Sequence, residues 1–216
     1  PLLWCVAFIV TFLNGGVTGL FLGNVAVDVP LSDTMFVVAL FHMVMGVAPI
    51  FVIFGAIYHW YPLMTGRFLH DGMGKFHFWV TFVGAYLIYF PMHYLGFTGV
   101  PRRYFELGEL SFIPPSEDTL NAFITIVVLI VGLAQVVFIF NMISSRKSGK
   151  VSERNPWKAT SLEWQTKDYP PGHGNFDDEL PCVYRWAYEY GLPGAKDDYV
   201  PQNLPPDQIV TDKAGE

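Results

Sequence analysis

The sequence predicts an all-α membrane protein: four transmembrane helices within residues 1–145, then an extended tail at residues 146–216. The first two observations behind this fold class are compositional. Only 15% of the residues are charged and the mean hydropathy is +0.34, whereas an ordinary soluble domain carries about 25% charged residues. This composition excludes an ordinary soluble globule. The net charge is −6, so the sequence does not show the basic excess that is typical of nucleic-acid-binding proteins.

The third observation is that four long runs contain no charged residue. The runs cover residues 1–27, 34–66, 76–101 and 119–145. Each is longer than the roughly 20 apolar residues that an α-helix needs to cross a bilayer. The first run has no basic n-region and no small-residue cleavage site, so we expect a membrane span there and not a signal peptide. The four runs therefore predict four spans.

The distribution of Lys and Arg predicts the orientation of the spans. Arg67 and Lys75 lie between the second and third spans, and a basic cluster at residues 146–158 follows the fourth. Basic residues concentrate on the cytoplasmic side of a membrane protein. The tail is therefore expected on the cytoplasmic side, or on the matrix side in a mitochondrion.

The tail itself is rich in Pro and Gly, and aromatic residues are spaced along it. Its three tryptophans are Trp157, Trp164 and Trp186. We expect an extended chain that aromatic contacts pin onto a larger surface. The two cysteines, Cys5 in the first span and Cys182 in the tail, predict neither a disulfide nor a metal site.

Histidines are the ionisable residues within the predicted spans. An ionisable residue at membrane depth is a candidate functional residue. His59 and His77 lie near the tail-side ends of their spans, where interfacial water can reach them, and His93 is either a packing residue or a donor beside a site. His42 lies near mid-membrane. It is either a ligand of a metal or haem iron or a buried histidine bonded to a neighbouring helix.

Two adjacent arginines, Arg102 and Arg103, follow the third span. Such a pair is either a membrane anchor or a binding site for carboxylates, because guanidinium groups match carboxylates geometrically. The predicted orientation places them at the same end of the bundle as Asp28 and Asp33. We therefore expect carboxylates and arginines to meet there.

Several long segments occur in the order found in one known family. They are "NGGVTGLFLGN", "DTMFVVALFHMVMG", "FPMHYLGFTGVPRRY", "NPWKATSLEW" and "PPGHGNFDDELP". Together they resemble the C-terminal third of subunit I of haem-copper cytochrome c oxidases, apart from about the last 25 residues. The resemblance implies the last four transmembrane helices of that subunit and an electron-transfer role in aerobic respiration.

The resemblance also implies roles for individual residues. His42 matches the family's ligand of a low-spin haem, which we expect to be of the a type. Arg102 and Arg103 match the pair that binds haem propionates, and Asp28 matches another residue of that region. Asp33 matches a residue beside the family's magnesium site. No copper ligand falls within this sequence.

Two positions depart from the family's pattern. Leu40 stands where the family has the histidine that ligates the high-spin haem, and Ser32 replaces a histidine near the magnesium. At about 100° per residue, positions 40 and 42 project to nearly opposite flanks of a helix. Losing the ligand at Leu40 therefore need not disturb a haem at His42. We expect a dismantled high-spin site, a weakened magnesium site at Asp33, and no residue in this chain that catalyses oxygen reduction.

Three functions remain open from the sequence. The first is the C-terminal piece of a split or divergent subunit I, in which His42 holds a low-spin haem inside a cytochrome c oxidase complex. The second is a non-catalytic structural subunit derived from subunit I that has lost its haem. The third, a small transporter or channel, lacks pathway charges within the spans. In the first two, the expected partners are an N-terminal half of subunit I on another chain, other oxidase subunits and lipid. The complex as a whole would act on cytochrome c, in a bacterial plasma membrane or a mitochondrial inner membrane.

Overall fold

The computed structural model describes residues 1–106, 116–167, 170–176 and 180–211. Within these residues the chain is helical, and β-structure is limited to isolated bridges. The helices are α1 (Leu2–Leu22), α2 (Val25–Leu31), α3 (Met35–Phe41), α4 (Ala48–Thr65), α5 (Asp71–Phe97) and α6 (Ser116–Ser148). A π-helical segment, His42–Val47, joins α3 to α4. Two short 3₁₀ turns, Leu162–Gln165 and Pro206–Gln208, lie in the tail.

The four predicted membrane spans are confirmed. Helices α1, α5 and α6 and the continuous helix Met35–Thr65 are each long and apolar enough to cross a membrane. Their lengths are 21, 27, 33 and 31 residues, respectively. Pro62 and Pro91 lie inside two of these helices. Membrane helices tolerate such prolines because neighbouring groups can satisfy the freed backbone carbonyls.

The connection between the first two spans contains the short helix α2. The side chain of Asn24 caps this helix by accepting a 3.0 Å hydrogen bond from the Ala26 backbone N–H. Asp33 has a φ of +63°, in the left-handed region, and this conformation separates α2 from α3. Thr34 then caps α3, since its Oγ1 accepts from the Phe36 N–H at 3.2 Å.

The chain divides into two compact units. The first comprises Pro1–His59 and His70–Ile143, and the second comprises Trp60–Leu69 and Ser144–Glu216. Buried apolar residues of the first unit form two clusters. One contains Ile88, Leu95, Val100, Ile124 and Val127, and the other contains Trp4, Ala7, Phe51, Phe78 and Ala85.

One very close helix contact in the first unit is between α3 and α5, at Gly96. A Cβ atom built on Gly96 would lie only 2.2 Å from the backbone nitrogen of Phe36. Any side chain there would collide with the α3 backbone, which cannot yield as a flexible side chain can. Gly96 therefore allows α3 to lie directly against α5.

The second unit ties the tail to the helix ends beside it. The Phe68 N–H donates to the Lys150 carbonyl at 2.8 Å, and Arg67 Nη1 donates to the Gly149 carbonyl at 2.7 Å. Trp164 is buried, and the ring of Trp157 packs against Phe68. Trp186, by contrast, is 70% exposed. Aromatic pinning of the tail is therefore found at two of the three tryptophans.

Candidate functional site

Backbone hydrogen bonds join the segment before α3 to the segment after α5. The Met35 N–H donates to the Val100 carbonyl at 2.9 Å, and the Arg102 N–H donates to the Asp33 carbonyl at 2.8 Å. Thr34 and Pro101 form an isolated antiparallel bridge between these two bonds. The arginine pair is thus held at the start of the helix that carries Leu40 and His42.

Arg102 is partly buried and has one donor to spare. Its Nη2 forms an ion pair with Asp33 Oδ1. Its Nε is fully buried and has no acceptor within the described part of the chain. A buried guanidinium N–H without an acceptor is costly, so this atom points to a missing acceptor group. Arg103 is exposed.

The two predicted carboxylates occupy different positions. Asp33 pairs with Arg102, whereas Asp28, on α2, accepts a 2.9 Å hydrogen bond from Ser32 Oγ. Among the described residues, neither carboxylate pairs with Arg103. Ser32 is therefore hydrogen-bonded within its own helix turn. Of the two carboxylates and two arginines that were expected to meet, Asp33 and Arg102 are in direct contact.

His42 begins the π-helical segment, and one of its ring nitrogens is engaged in a hydrogen bond. Nδ1 lies 2.8 Å from the Val38 carbonyl, one turn earlier. A carbonyl accepts only, so Nδ1 carries the proton and Nε2 carries the lone pair. Nε2 forms no hydrogen bond within the described residues. The ring is partly exposed and stacks on Tyr89 of α5, with centroids 5.8 Å apart and planes 17° apart.

Leu40 faces α1, away from the contacts of His42. A Cβ built on Gly19 of α1 would lie 3.9 Å from Leu40 Cδ1, an ordinary van der Waals separation. His42, by contrast, stacks against α5. The opposite projection expected for positions 40 and 42 is thus seen in their neighbours.

His77 differs from His42 in that both of its ring nitrogens have partners. Nε2 lies 3.0 Å from Gln135 Oε1 and Nδ1 lies 3.4 Å from the Tyr58 hydroxyl. The Gln135 amide in turn donates to Thr81 Oγ1 at 3.1 Å. His77 is fully buried, so the expectation that interfacial water reaches it is wrong. No sequence signal identified these partners, because Tyr58 lies on α4 and Gln135 on α6, whereas His77 lies on α5.

His93 is a closer analogue of His42. Its Nδ1 lies 2.7 Å from the Tyr89 carbonyl, and its Nε2 is without a partner among the described residues. That Nε2, however, is buried, and the ring of Phe36 packs edge-on against the imidazole with centroids 4.9 Å apart. Of His42, His77 and His93, His42 is therefore the one whose Nε2 lone pair is both unpaired within the described residues and partly exposed.

The phenol of Tyr104 lies in the same loop as the arginine pair. Burial, and then the negative charge of Asp118, raises the pKa of Tyr104 above its ordinary value. The phenol therefore stays neutral at physiological pH. It adds no negative charge that would compete with a carboxylate for the arginines.

Comparison with known proteins decides the family. A family model described as cytochrome c and quinol oxidase polypeptide I matches residues 1–133. This chain belongs to that family. It is thus a subunit I-like component of a haem-copper oxidase.

Individual relatives support the same family assignment. The alternative cytochrome c oxidase subunit 1 of Bradyrhizobium diazoefficiens is 69% identical over 206 residues, which is 95% of this chain and 35% of that protein. Cytochrome c oxidase subunit 1 of Synechocystis is 37% identical, covering 88% of this chain and 33% of that protein. The corresponding protein of Corynebacterium diphtheriae is 39% identical, covering 89% and 34%. The chain thus spans about a third of the length of these relatives.

A solved structure supports the fold. A chain of a heme-copper terminal oxidase dimer matches with a TM-score of 0.58 at 18% identity, covering 69% of this chain and 27% of that one. The four membrane-spanning helices therefore follow the subunit I fold, and the protein is an integral membrane protein.

The family implies haem cofactors, and the residues present fit one. His42 offers an accessible Nε2 lone pair, whose basicity the Val38 hydrogen bond raises. Arg102 offers a buried Nε donor that lacks an acceptor, as a carboxylate-bearing group would require. Leu40 offers no lone pair for iron.

Proposed function

We propose that this chain is the C-terminal part of a subunit I-like bundle in which His42 ligates the iron of a low-spin haem, of the a type. The observation that carries the proposal is the 2.8 Å hydrogen bond from His42 Nδ1 to the Val38 carbonyl. It fixes the tautomer that presents Nε2 to a metal and restrains rotation of the ring. The bound haem would carry single electrons through the complex.

Arg102 and Arg103 would bind the carboxylates of that haem. The buried Arg102 Nε supplies a donor, and the Asp33 ion pair holds the guanidinium in position. Positive charge beside a redox group stabilises its reduced, less positive form. The pair therefore tunes the potential as well as the position. Asp28 supports the same region through Ser32.

The flank at Leu40 would hold no ligated iron. Leucine has no lone pair, and Ser32, where the family has a second histidine, is bonded to Asp28. A magnesium ion at Asp33 would lack that histidine too, and Asp33 already pairs with Arg102. We therefore assign electron transfer, not oxygen reduction, to the residues of this chain.

The remaining machinery would come from outside this sequence. The chain covers 35% of the length of its Bradyrhizobium relative. The second axial histidine and the copper ligands would lie in an N-terminal part of subunit I on another chain, assembled with further oxidase subunits and lipid. The complex would accept electrons from cytochrome c. By the distribution of Lys and Arg, the tail faces the cytoplasm or the matrix, in a bacterial plasma membrane or mitochondrial inner membrane.

The test is a reduced-minus-oxidised spectrum of the purified complex, with haems counted as pyridine haemochromes. We expect His42→Ala to abolish one low-spin band and to lower the count by one haem per complex. The matched control is Leu40→Ala on the opposite flank, which should retain both. An unchanged band in His42→Ala would overturn the assignment.

The second candidate is a structural subunit without haem, which the leucine at position 40 favours because it already marks the loss of one ligand. In that case the wild-type complex has no low-spin band that depends on this chain. His42→Ala would then change only its thermal stability. The same spectra therefore distinguish the two candidates.

A further inference from the structure

The end of the bundle where the tail begins carries cations from two separate stretches of the chain. Arg67 follows α4, Arg146 and Lys147 lie in the last turn of α6, and Lys150 follows that helix. These four residues are named here the basic patch. All four belong to the second compact unit, so one folded body presents them together.

Backbone contacts fix the two stretches of the basic patch against each other. The Phe68 N–H donates to the Lys150 carbonyl at 2.8 Å, and Arg67 Nη1 donates to the Gly149 carbonyl at 2.7 Å. The fit is close, because a Cβ built on Gly149 would lie 2.4 Å from the Phe68 carbonyl oxygen. The Arg67 guanidinium is therefore held beside residues 147–150.

The positive charge of the basic patch is not neutralised within the described part of the chain. Its two stretches, residues 60–69 and 144–153, contain four Lys and Arg and one acidic residue, Glu153. No member of the patch forms an ion pair with a described carboxylate. Lys158 is not a member, because it lines a groove in which basic and acidic residues balance. Neighbouring like charges repel, so the patch predicts an anionic ligand.

Exposed apolar side chains precede Arg67 at the end of α4. Trp60 and Met64 are 41% and 60% exposed, and residues four apart lie on the same face of a helix. Val151, which is opposite Arg67 in an isolated bridge, is 67% exposed. Tryptophan is enriched where a membrane helix meets water. A lipid matches this succession, because its acyl chains are apolar and its headgroup is polar.

We propose that the basic patch binds the phosphate of an anionic phospholipid, whose acyl chains lie against the exposed face of α4. The Gly149 bond uses one N–H of the Arg67 guanidinium and leaves the other N–H groups for phosphate oxygens. Clusters of Lys and Arg directly after a transmembrane helix attract anionic headgroups. A free phosphate or an acidic protein segment would match the cations but not Trp60 and Met64.

The first experiment counts lipids on the complete oxidase complex. The complex is purified in a mild detergent, and native mass spectrometry measures how many phosphatidylglycerol molecules it retains. We expect Lys147→Gln with Lys150→Gln to lose one of them. Neither lysine side chain forms a hydrogen bond or ion pair among the described residues, so this double variant should fold. The matched control, Lys75→Gln with Lys196→Gln, removes the same charge outside the patch and should retain the lipid.

The second experiment measures how lipid stabilises the delipidated complex. Phosphatidylglycerol should raise its unfolding temperature, because a ligand that binds the folded state stabilises it. Phosphatidylcholine and inorganic phosphate should not. The double variant should need a several-fold higher phosphatidylglycerol concentration for the same rise. Arg67→Lys keeps the charge but cannot form paired hydrogen bonds to phosphate, so it should need a smaller increase.

Four outcomes would overturn the proposal. The first is an unchanged lipid count and thermal response in the double variant. The second is an equal response to phosphatidylcholine, which indicates a site for acyl chains alone, and the third is an equal response to inorganic phosphate, which indicates a site for a free anion. The fourth is loss of a neighbouring subunit with the lipid count unchanged, which indicates an acidic protein partner.

The haem assignment is tested separately from the lipid site. The basic patch lies in the second compact unit, whereas His42 lies in the first. The low-spin band should therefore persist in the double variant. An unchanged lipid count rejects the lipid site alone, and a band that survives His42→Ala rejects the haem assignment alone.

Discussion

The two flanks of the second span have different chemistry although the residues at their centres, Leu40 and His42, are only two positions apart. On the α5 side, the His42 ring is clamped by the Val38 carbonyl and stacks on Tyr89. On the α1 side, Leu40 lies beside Gly19. One flank thus presents a directed lone pair and the other presents none. The side chains at positions 40 and 42 contact different neighbours, so the chemistry of one flank can change without disturbing the other.

Close packing holds the span on both flanks, but not at every position. At Gly96 the α5 flank leaves no room for a Cβ, which would lie 2.2 Å from the Phe36 nitrogen. On the α1 flank a Cβ on Gly15 would lie 2.5 Å from Val44 Cγ2, whereas one on Gly19 would lie 3.9 Å from Leu40. The span is therefore held from both sides, as a ligand needs to keep its geometry, and the looser position is the one beside Leu40.

The largest expected effect comes from breaking the close helix contact at Gly96. Gly96→Ala forces α3 away from α5, and overpacking of this kind typically costs about 1–3 kcal/mol. We expect a clear fall in the thermal stability of the solubilised complex and loss of the low-spin band on mild heating. Gly19→Ala is the matched control and should change neither. Equal effects of the two variants would contradict the difference in packing.

An intermediate effect is expected from the arginines. Arg102→Gln removes a half-buried charge, so the midpoint potential of the low-spin haem should fall in a redox titration. Arg103 is exposed, and solvent screens its charge, so Arg103→Gln should lower the potential less. Stability should change little in either case. Asp33 is 73% exposed, and such an ion pair contributes about 0–1 kcal/mol. A larger fall for Arg103→Gln would contradict the burial of Arg102.

A smaller effect is expected at Tyr89. Tyr89→Leu removes the stacked ring beside His42 but leaves the Val38 hydrogen bond in place. The low-spin band should remain and shift by a few nanometres at most. The control is Tyr86→Leu, one turn away, where the hydroxyl contacts Asn14 instead. Loss of the band in Tyr89→Leu would show that stacking, and not the backbone clamp, orients the ligand.

The last prediction is that carbon monoxide binding shows no effect at all. Carbon monoxide binds only to iron with an open position, and the Leu40 flank supplies no ligand to hold such an iron. We expect no carbon monoxide difference spectrum from any haem that this chain holds, and no change on Leu40→Ala. A carbon monoxide adduct that Leu40→Ala abolishes would reverse the comparison between the flanks.

Much of the fold was predictable because membrane insertion depends on composition over long windows. The charge-free runs located all four spans, whose exclusion of charged residues is set by the bilayer. Local deviations were not predictable. Helix α2 contains Pro30 and Asp28 and depends on the cap at Asn24. The π-helical segment follows no residue preference that the sequence displays.

The candidate site was predictable as a set of residues but not as a set of contacts. The sequence placed Asp28, Asp33 and the arginines at one end, but pairing depends on side-chain geometry. Asp28 bonded to Ser32, and Asp33 to Arg102. The two hydrogen bonds of His77 were missed because their partners, Tyr58 and Gln135, lie 19 and 58 positions away in the sequence. No local sequence pattern extends that far.

The π-helical segment also matters for engineering this span. A π turn accommodates one residue more than an α turn, so it rotates everything beyond it by about 100° relative to an unbroken helix. A designer who projects α3 and α4 onto one helical wheel would assign wrong neighbours to every position after Val47. Substitution libraries for this span should therefore use one helical wheel for the positions before His42 and another for the positions after Val47. Deleting one residue within the π-helical segment would turn the span into one continuous α-helix. One of its two halves would then rotate out of its present contacts.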